Sequence, residues 1–254
     1  MARRPRAFVG VTGPDAADYL QRMLSNDVEA LAPGKSCQAL LLTPKARVIA
    51  PMRVLRRGPE DFLLLTEPEL GETLRDELLR MRFAAKAEIL LEEHTSTLVF
   101  GGDEGIANDD YGAPAVEVLD ATLEATLGED ELETLSIRAG TPRFGREIDD
   151  RVLPAEAGLV DRAVSLTKGC YPGQEPIARL HYRGHANRGL RVLAVEGEEV
   201  PDPDTELSLG EKVVGHVTSA ARSNGGIVAL AYIRAEVPPD AELTVGPSKA
   251  RPLH

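Results

Sequence analysis

The last quarter of the chain is cut into pieces too short for helices. Arg191 to Val195, Val213 to Ala220, Ile227 to Ile233 and Glu242 to Val245 are apolar or β-branched runs of four to eight residues. Pro201-Asp202-Pro203, Asn224-Gly225-Gly226 and Pro238-Pro239 stand between them. Turn chemistry recurring at short intervals leaves these runs one way to satisfy their backbones, an antiparallel all-β unit, either a small barrel or a sandwich. The change of character falls near Asn187. The expected division is therefore 1–187, itself two interleaved subdomains, and a β unit over 188–254.

Ahead of that boundary the apolar period switches back and forth. Val9 to Val11 reads as a strand, and Asp15 to Leu24 as a helix, with Ala16, Ala17, Leu20, Met23 and Leu24 on one stripe after the start signal Gly13-Pro14-Asp15. Cys37 to Leu42 and Arg47 to Leu55 form a predicted hairpin around Thr43-Pro44-Lys45, despite Pro51. Phe62 to Thr66 is a strongly apolar strand. Pro68 to Met81 carries Leu70, Leu74, Leu78 and Met81 on one face, the clearest helix of the chain. Lys86 to Glu93, Thr97 to Phe100 and Ala115 to Leu119 are further strands, and Glu129 to Gly140 is a short helix. Strands and helices mixed without strict alternation predict an α+β fold.

Composition excludes several function classes. The 254 residues are 43% hydrophobic and 28% charged, as in an ordinary soluble globular protein. No apolar run nears the roughly 20 residues needed to cross a bilayer, and Ala7 to Val11 is too short for the apolar part of a signal peptide, so a cytoplasmic protein with no membrane partner is expected. The two cysteines, Cys37 and Cys170, lack paired-ligand spacing, and neither a disulfide nor a permanently bound metal is expected. A net charge of −12 argues against direct nucleic-acid binding. One stretch opposes that balance: Arg179, Arg183, Arg188 and Arg191, with His181 and His185, contain no acid between them.

The chemistry-bearing residues concentrate just before this basic stretch. Lys168-Gly169-Cys170-Tyr171-Pro172-Gly173-Gln174-Glu175 puts a thiol two residues after a lysine, on a loop shaped by Pro172-Gly173. Positive charge favours the reactive thiolate, so Cys170 reads either as a reactive thiol or as a small apolar filler. Gln174 and Glu175 read as polar ligands or as a helix cap, with spacing on the side of the cap. The basic stretch is either a solvated face or an anion site, arginine being suited to carboxylate and phosphate. His181 and His185 lack the glutamate of a His-Glu-x-x-His motif and stand in a stretch not clearly helical, so they are read as non-metal residues. Gly101 to Gly105 has no P-loop lysine, Asp149-Asp150 reads as turn chemistry, and no Gly-x-Ser-x-Gly element is present.

The eight residues Lys168 to Glu175 resemble the Lys-Gly-Cys-(Tyr/Phe)-x-Gly-Gln-Glu motif of the YgfZ group of folate-binding proteins, relatives of the glycine-cleavage T-protein, an aminomethyltransferase. Three other segments resemble the family in order. Tyr19-Leu20-Gln21 with Ser25-Asn26-Asp27-Val28 is similar to its early helix and turn. Leu41 to Arg47 is similar to its hairpin, with Ala46 where the family has glycine. Gly215 to Ala220 and Ala229 to Ile233 are similar to its C-terminal barrel.

The resemblance implies a folate-binding α+β body, aminomethyltransferase-like, with a small C-terminal antiparallel β-barrel. It implies tetrahydrofolate or a derivative as cofactor, and iron-sulfur enzymes, including tRNA-modifying ones, or cluster-assembly proteins as partners. Cys170 is then the functional thiol and Lys168 the charge beside it. Arg179, Arg183, Gln174, Glu175, Tyr171 and Asn26 are the expected folate contacts. The aspartate that aminomethyltransferases carry after the hairpin is absent, the region reading Val48-Ile49-Ala50-Pro51-Met52. A folate-contacting asparagine of the family falls near Glu67, and an arginine near Ser136, with Arg138 two residues on. An accessory role is thereby favoured over aminomethyl transfer. The alternative, a folate-dependent one-carbon transferase, needs Glu67, Glu147 or Glu156 to supply the missing carboxylate, and a ligand-free scaffold needs the central cavity to be filled by side chains.

Overall fold

A strand reading Asp-Phe-Leu-Leu-Leu-Thr has apolar residues on both faces, so it must be covered on both. That requirement sets the layering of the first half. The structure, a computed structural model, describes residues 1–253; His254, the end of the expected 188–254 unit, lies outside the described residues. In chain order the elements are β1 (Ala2–Arg3), β2 (Ala7–Thr12), α1 (Ala16–Met23), β3 (Ser36–Leu42), β4 (Val48–Gly58), β5 (Asp61–Thr66), α2 (Gly71–Met81) and β6 (Glu88–Glu92). Then follow β7 (Ser96–Phe100), β8 (Ile106–Asn108), β9 (Ala115–Leu119), α3 (Glu129–Arg138), α4 (Val160–Ala163) and α5 (Gln174–Arg183). The last six strands are β10 (Arg188–Val195), β11 (Glu206–Leu209), β12 (Lys212–Ser223), β13 (Gly226–Arg234), β14 (Leu243–Val245) and β15 (Ser248–Pro252).

Five strands form an antiparallel sheet in the order β3-β4-β5-β2-β6, and four form a second in the order β1-β7-β9-β8. On β5, Phe62 and Leu64 join the core under α1 and α2 with Leu20, Leu74 and Leu78, whereas Leu63 and Leu65 point the other way and meet Phe8 and Ile106. Pro51 is tolerated in β4 because pairing with β5 starts only at Met52, so the proline sits where the strand has β3 as its single partner.

The remaining six strands close an antiparallel barrel in the order β10-β13-β12-β11-β14-β15. β13 is apolar along nearly its whole length for the same reason as β5. Ile227, Ala229, Ala231 and Ile233 fill the barrel, Val228 and Leu230 pack on Ile137 of α3, and Tyr232 enters a core shared with the body. The α+β class and the C-terminal barrel agree with the sequence reading.

Four elements have no counterpart in that reading, β1, α4, β11 and β15, and three more differ from it. Gln174 to Arg183 is a helix: Pro176 lies in its first turn, where a missing N–H costs little, and Ile177 is its one fully buried side chain, too narrow a stripe to show a period. β8 forms inside the loop Gly101 to Asp110, because Ile106 is needed to cap the outer face of β5. Pro68 to Leu70 is a 3₁₀ turn leading into α2.

Candidate functional site

Two places concentrate polar groups, and the chain builds them separately. The first is a cavity of about 410 Å³ walled by the β3–β4 face, the β1–β2 link, the segment after β8, α3 and α4. Leu40, Met52, Leu132, Phe144 and Leu159 give it apolar walls, while six arginines and four carboxylates also line it. All lining residues fall between Arg3 and Ala163, so the barrel contributes none.

The arginines are only partly satisfied. Arg4 grips Glu67 with both terminal nitrogens, at 2.6 and 3.0 Å, and its Nε is buried with no partner. Arg53, 6% exposed on β4, reaches Asp109 and Asp110 at 3.5 and 3.3 Å, and its Nε is likewise unpartnered. Arg143 donates to Glu133 at 2.7 Å and to Ser219 at 3.2 Å, while its buried Nε faces Glu147 at 3.9 Å, beyond hydrogen-bond reach. An unsatisfied buried N–H costs about 1–3 kcal/mol; each Nε is closed off from the cavity itself, but the three guanidinium groups that carry them line it.

The carboxylates are held tightly. Burial would raise the Glu67 pKa, but the charge and hydrogen bonds of Arg4, with Arg6 beyond, keep it below the usual range. Asp110 accepts from Arg162 at 2.7 Å and from Gln38 at 2.9 Å. At the position of the absent aspartate the wall is Pro51, whose carbonyl accepts the Thr66 hydroxyl at 2.7 Å. The other two carboxylates considered lie elsewhere. Glu147 is fully buried against Ser219 and Arg143, and Glu156 pairs with Arg188 at 3.1 Å. Ser136 lines the cavity, whereas Arg138 points to Ser223 in β12.

The second place is the loop Lys168 to Glu175. The Lys168 ammonium donates to the carbonyls of Gln21, Leu24 and Asn26 at 2.5, 2.7 and 2.8 Å, capping the C-terminal end of α1. Burial pushes its pKa down to about 8. All three N–H bonds are spent there, so the charge expected beside Cys170 is directed instead at the end of α1. Tyr171 is buried in the core between body and barrel, with the ammonium 5.3 Å from its ring centroid. Gly173 has φ 85°, and a Cβ there would stand 2.8 Å from the Thr43 carbonyl oxygen, so the loop seats directly on the β3–β4 turn. Gln174 reaches back to the Lys168 carbonyl at 3.5 Å. Held from four sides, the loop leaves Gly169 and Cys170 exposed. Both cysteines are free; Cys37 is partly buried, and burial pushes its thiol up to about 11.

None of the residues expected to touch folate lines the cavity. Arg179, Arg183 and Glu175 are exposed on α5, Tyr171 is core, and Gln174 braces the loop. Asn26 donates to the Gln38 carbonyl at 2.7 Å, one residue behind the wall. Of the cavity residues, Pro51, Met52, Glu67 and Ser136 are singled out by the sequence reading; the others are scattered through the chain with no pattern to join them. One signal is present: Arg53, a charge set between Met52 and Val54 in the apolar part of β4, needs a polar reason to be there. Among the described residues, no group of three or more His, Cys, Asp or Glu is placed to hold a metal ion, and no helix is long and apolar enough to cross a membrane.

No protein-family model matches the chain. A protein of Edwardsiella ictaluri named tRNA-modifying protein YgfZ is 29% identical over 93% of this chain and 85% of its own length. The YgfZ protein of Pectobacterium carotovorum is 27% identical over 87% and 79% of the two chains. The chain is similar to the YgfZ proteins. An uncharacterized protein of Haemophilus influenzae is 27% identical over 86% of this chain and 82% of its own. Among solved structures, the glycine cleavage system aminomethyltransferase T of Bartonella henselae superposes with a TM-score of 0.84 at 18% identity, covering 98% of this chain and 82% of that one. The aminomethyltransferase T fold is therefore shared along essentially the whole chain.

Proposed function

We propose that the chain is a cytoplasmic, YgfZ-like accessory protein that binds a reduced folate in the body formed by residues 1–187 and supports iron-sulfur enzymes, among them enzymes of tRNA modification. The observation that carries the folate reading is the set of six arginines lining an apolar-walled cavity of about 410 Å³. That volume lies within the range of small-molecule sites. A pterin joined to p-aminobenzoyl-glutamate fits the donor set: apolar walls for the rings, and Arg4, Arg53 and Arg143 for heteroatoms and carboxylates. Asp110, fixed by Arg162 and Gln38, offers an acceptor for a pterin N–H. A cavity open to this extent also speaks against the side-chain-filled scaffold. When bound, a tetrahydrofolate supplies a carrier of one-carbon units; the chain's own residues bind and orient it and exclude water around it.

In this reading Cys170 is the exposed thiol offered to an iron-sulfur partner, and Lys168, Tyr171 and Gly173 hold it in position. Calorimetric titration with tetrahydrofolate tests the ligand: wild type binds, and Arg53→Leu weakens binding by tenfold or more, as expected for losing a charged hydrogen bond of about 1.5–3 kcal/mol. Absence of binding by the wild type overturns the folate assignment. The thiol role is checked by [4Fe-4S] enzyme activity in a deletion strain complemented with Cys170→Ala, where reduced activity is expected and full rescue sinks the role. A one-carbon transferase remains the second reading because Asp110 and Glu67 do place carboxylates in the cavity. Formation of methylene-tetrahydrofolate from methylated amines is its test.

A further inference from the structure

We infer that the exposed face of α5, continued into the groove at its C-terminal end, is a contact surface for single-stranded nucleic acid. This surface shares no residue with the folate cavity, and the inference does not rest on that assignment.

The starting point is the segregation of charge. Arg179, Arg183, Arg188 and Arg191 sum to +4 in a stretch without acids, which leaves −16 on the rest of a chain whose total is −12. The structure shows which of the four are engaged. Arg188 pairs with Glu156, and Arg191 donates to the Pro238 carbonyl. Arg179 and Arg183 make no ion pair and no hydrogen bond among the described residues, and even Glu175, one turn before Arg179, stays beyond 4.0 Å. Three and four residues apart on a helix share a face, so Arg179, Tyr182 and Arg183 form one surface, which Glu175 borders. Tyr182 is 67% exposed, and its ring stands perpendicular to that of His181 with centroids 4.8 Å apart.

Beyond Gly184 the surface runs into a groove of about 740 Å³ lined by His185, Asn187, Arg188 and Arg234. Its two carboxylates are already matched, Glu156 by Arg188 and Glu236 by Lys212 at 2.6 Å. Arg234 has no such partner among the described residues. Free guanidinium groups at Arg179, Arg183 and Arg234 therefore mark a track from helix to groove, with an aromatic face beside it.

Phosphates satisfy the free arginines, and an open tyrosine ring between them suits an unstacked base, which an acidic protein surface lacks. The strongly acidic remainder repels phosphate elsewhere and so confines a strand to this face.

Fluorescence anisotropy of a labelled mixed-sequence oligonucleotide of roughly 16 residues, in an RNA arm and a DNA arm, measures binding across salt concentrations. Binding of either strand is expected, with log affinity falling against log salt at a slope of about −1.4 to −2.1 for two or three phosphate contacts. Tyr182→Ala is expected to weaken binding at least about fivefold with the slope unchanged. The double variant R179A/R183A is expected to make the slope shallower by about 1.4, and R80A, an exposed arginine of α2, to change neither quantity. All four sites are exposed, and thermal melting confirms that each variant folds. The inference is overturned if neither strand binds at low salt, if Tyr182→Ala binds like wild type, or if polyglutamate displaces the oligonucleotide at equal charge, which would make the face a site for acidic proteins.

Discussion

Gly173 shows how much one residue of the Lys168 to Glu175 loop is asked to do. Its φ of 85° costs an L side chain about 1–2 kcal/mol, and the Thr43 carbonyl oxygen leaves no room for a Cβ. Gly173→Ala is expected to lower stability by about 2–4 kcal/mol, and Tyr171→Phe on the same loop to be neutral or stabilising. The reason for the contrast is the Tyr171 hydroxyl, buried without a partner, with burial alone raising its pKa to about 12. Urea unfolding of the two variants measures both, and a destabilised Tyr171→Phe would show that the hydroxyl is satisfied in solution. The loop was recognisable in the sequence as a motif, and Pro172-Gly173 as its turn. The division of labour inside it was not legible. Lys168 reads as a charge for Cys170 because the two stand near each other in sequence, yet its acceptors are Gln21, Leu24 and Asn26, more than 140 residues away.

Between elements, a buried ion pair ties the two sheets of the body. Arg6, next to β2, donates to Glu117 of β9 at 2.6 and 3.2 Å, and Ser96 and Asn108 complete the Glu117 shell. Burial opposes the charge of Glu117, but Arg6 overrides it and holds the carboxyl at about 2, well below the 4.5 of an unperturbed glutamate. A folded-state pKa below the unfolded one contributes stability that is present above about pH 4.5 and lost as pH falls through about 2. The group accounts for about 3 kcal/mol over that window, and Glu67 adds in the same direction. Urea unfolding between pH 5 and pH 2 is expected to show a shallower pH dependence in Glu117→Gln than in wild type, whatever the offset between the two curves; equal slopes would disprove the assignment. Neither partner stands out in the sequence. Glu117 alternates with Val116 and Val118 as an outward-facing strand residue would, and only the packing of the second sheet on the first buries it.

At the scale of the whole molecule, the candidate functional groups lie on surfaces that share a chain and little else: an arginine-rich cavity inside the body, an exposed thiol on a braced loop, and a basic helix on an acidic protein. The sequence by itself determined the α+β class, most strands and helices of the body, the turn-punctuated barrel and the likeness to the YgfZ proteins. These follow from local rules, since apolar period, turn residues and an eight-residue motif are all read within a short window. Tertiary structure alone decided which residues form the cavity, because Arg4, Arg53, Asp110 and Arg143 come from four separate stretches of the chain and meet only when the two sheets and α3 close around them. It also decided where the residues expected to touch folate lie, in core, brace and outer helix face. Burial and pairing depend on what packs against a residue from far along the chain, and no local pattern of Arg179 or Arg6 reveals that the first is left in water and the second is drawn against Glu117.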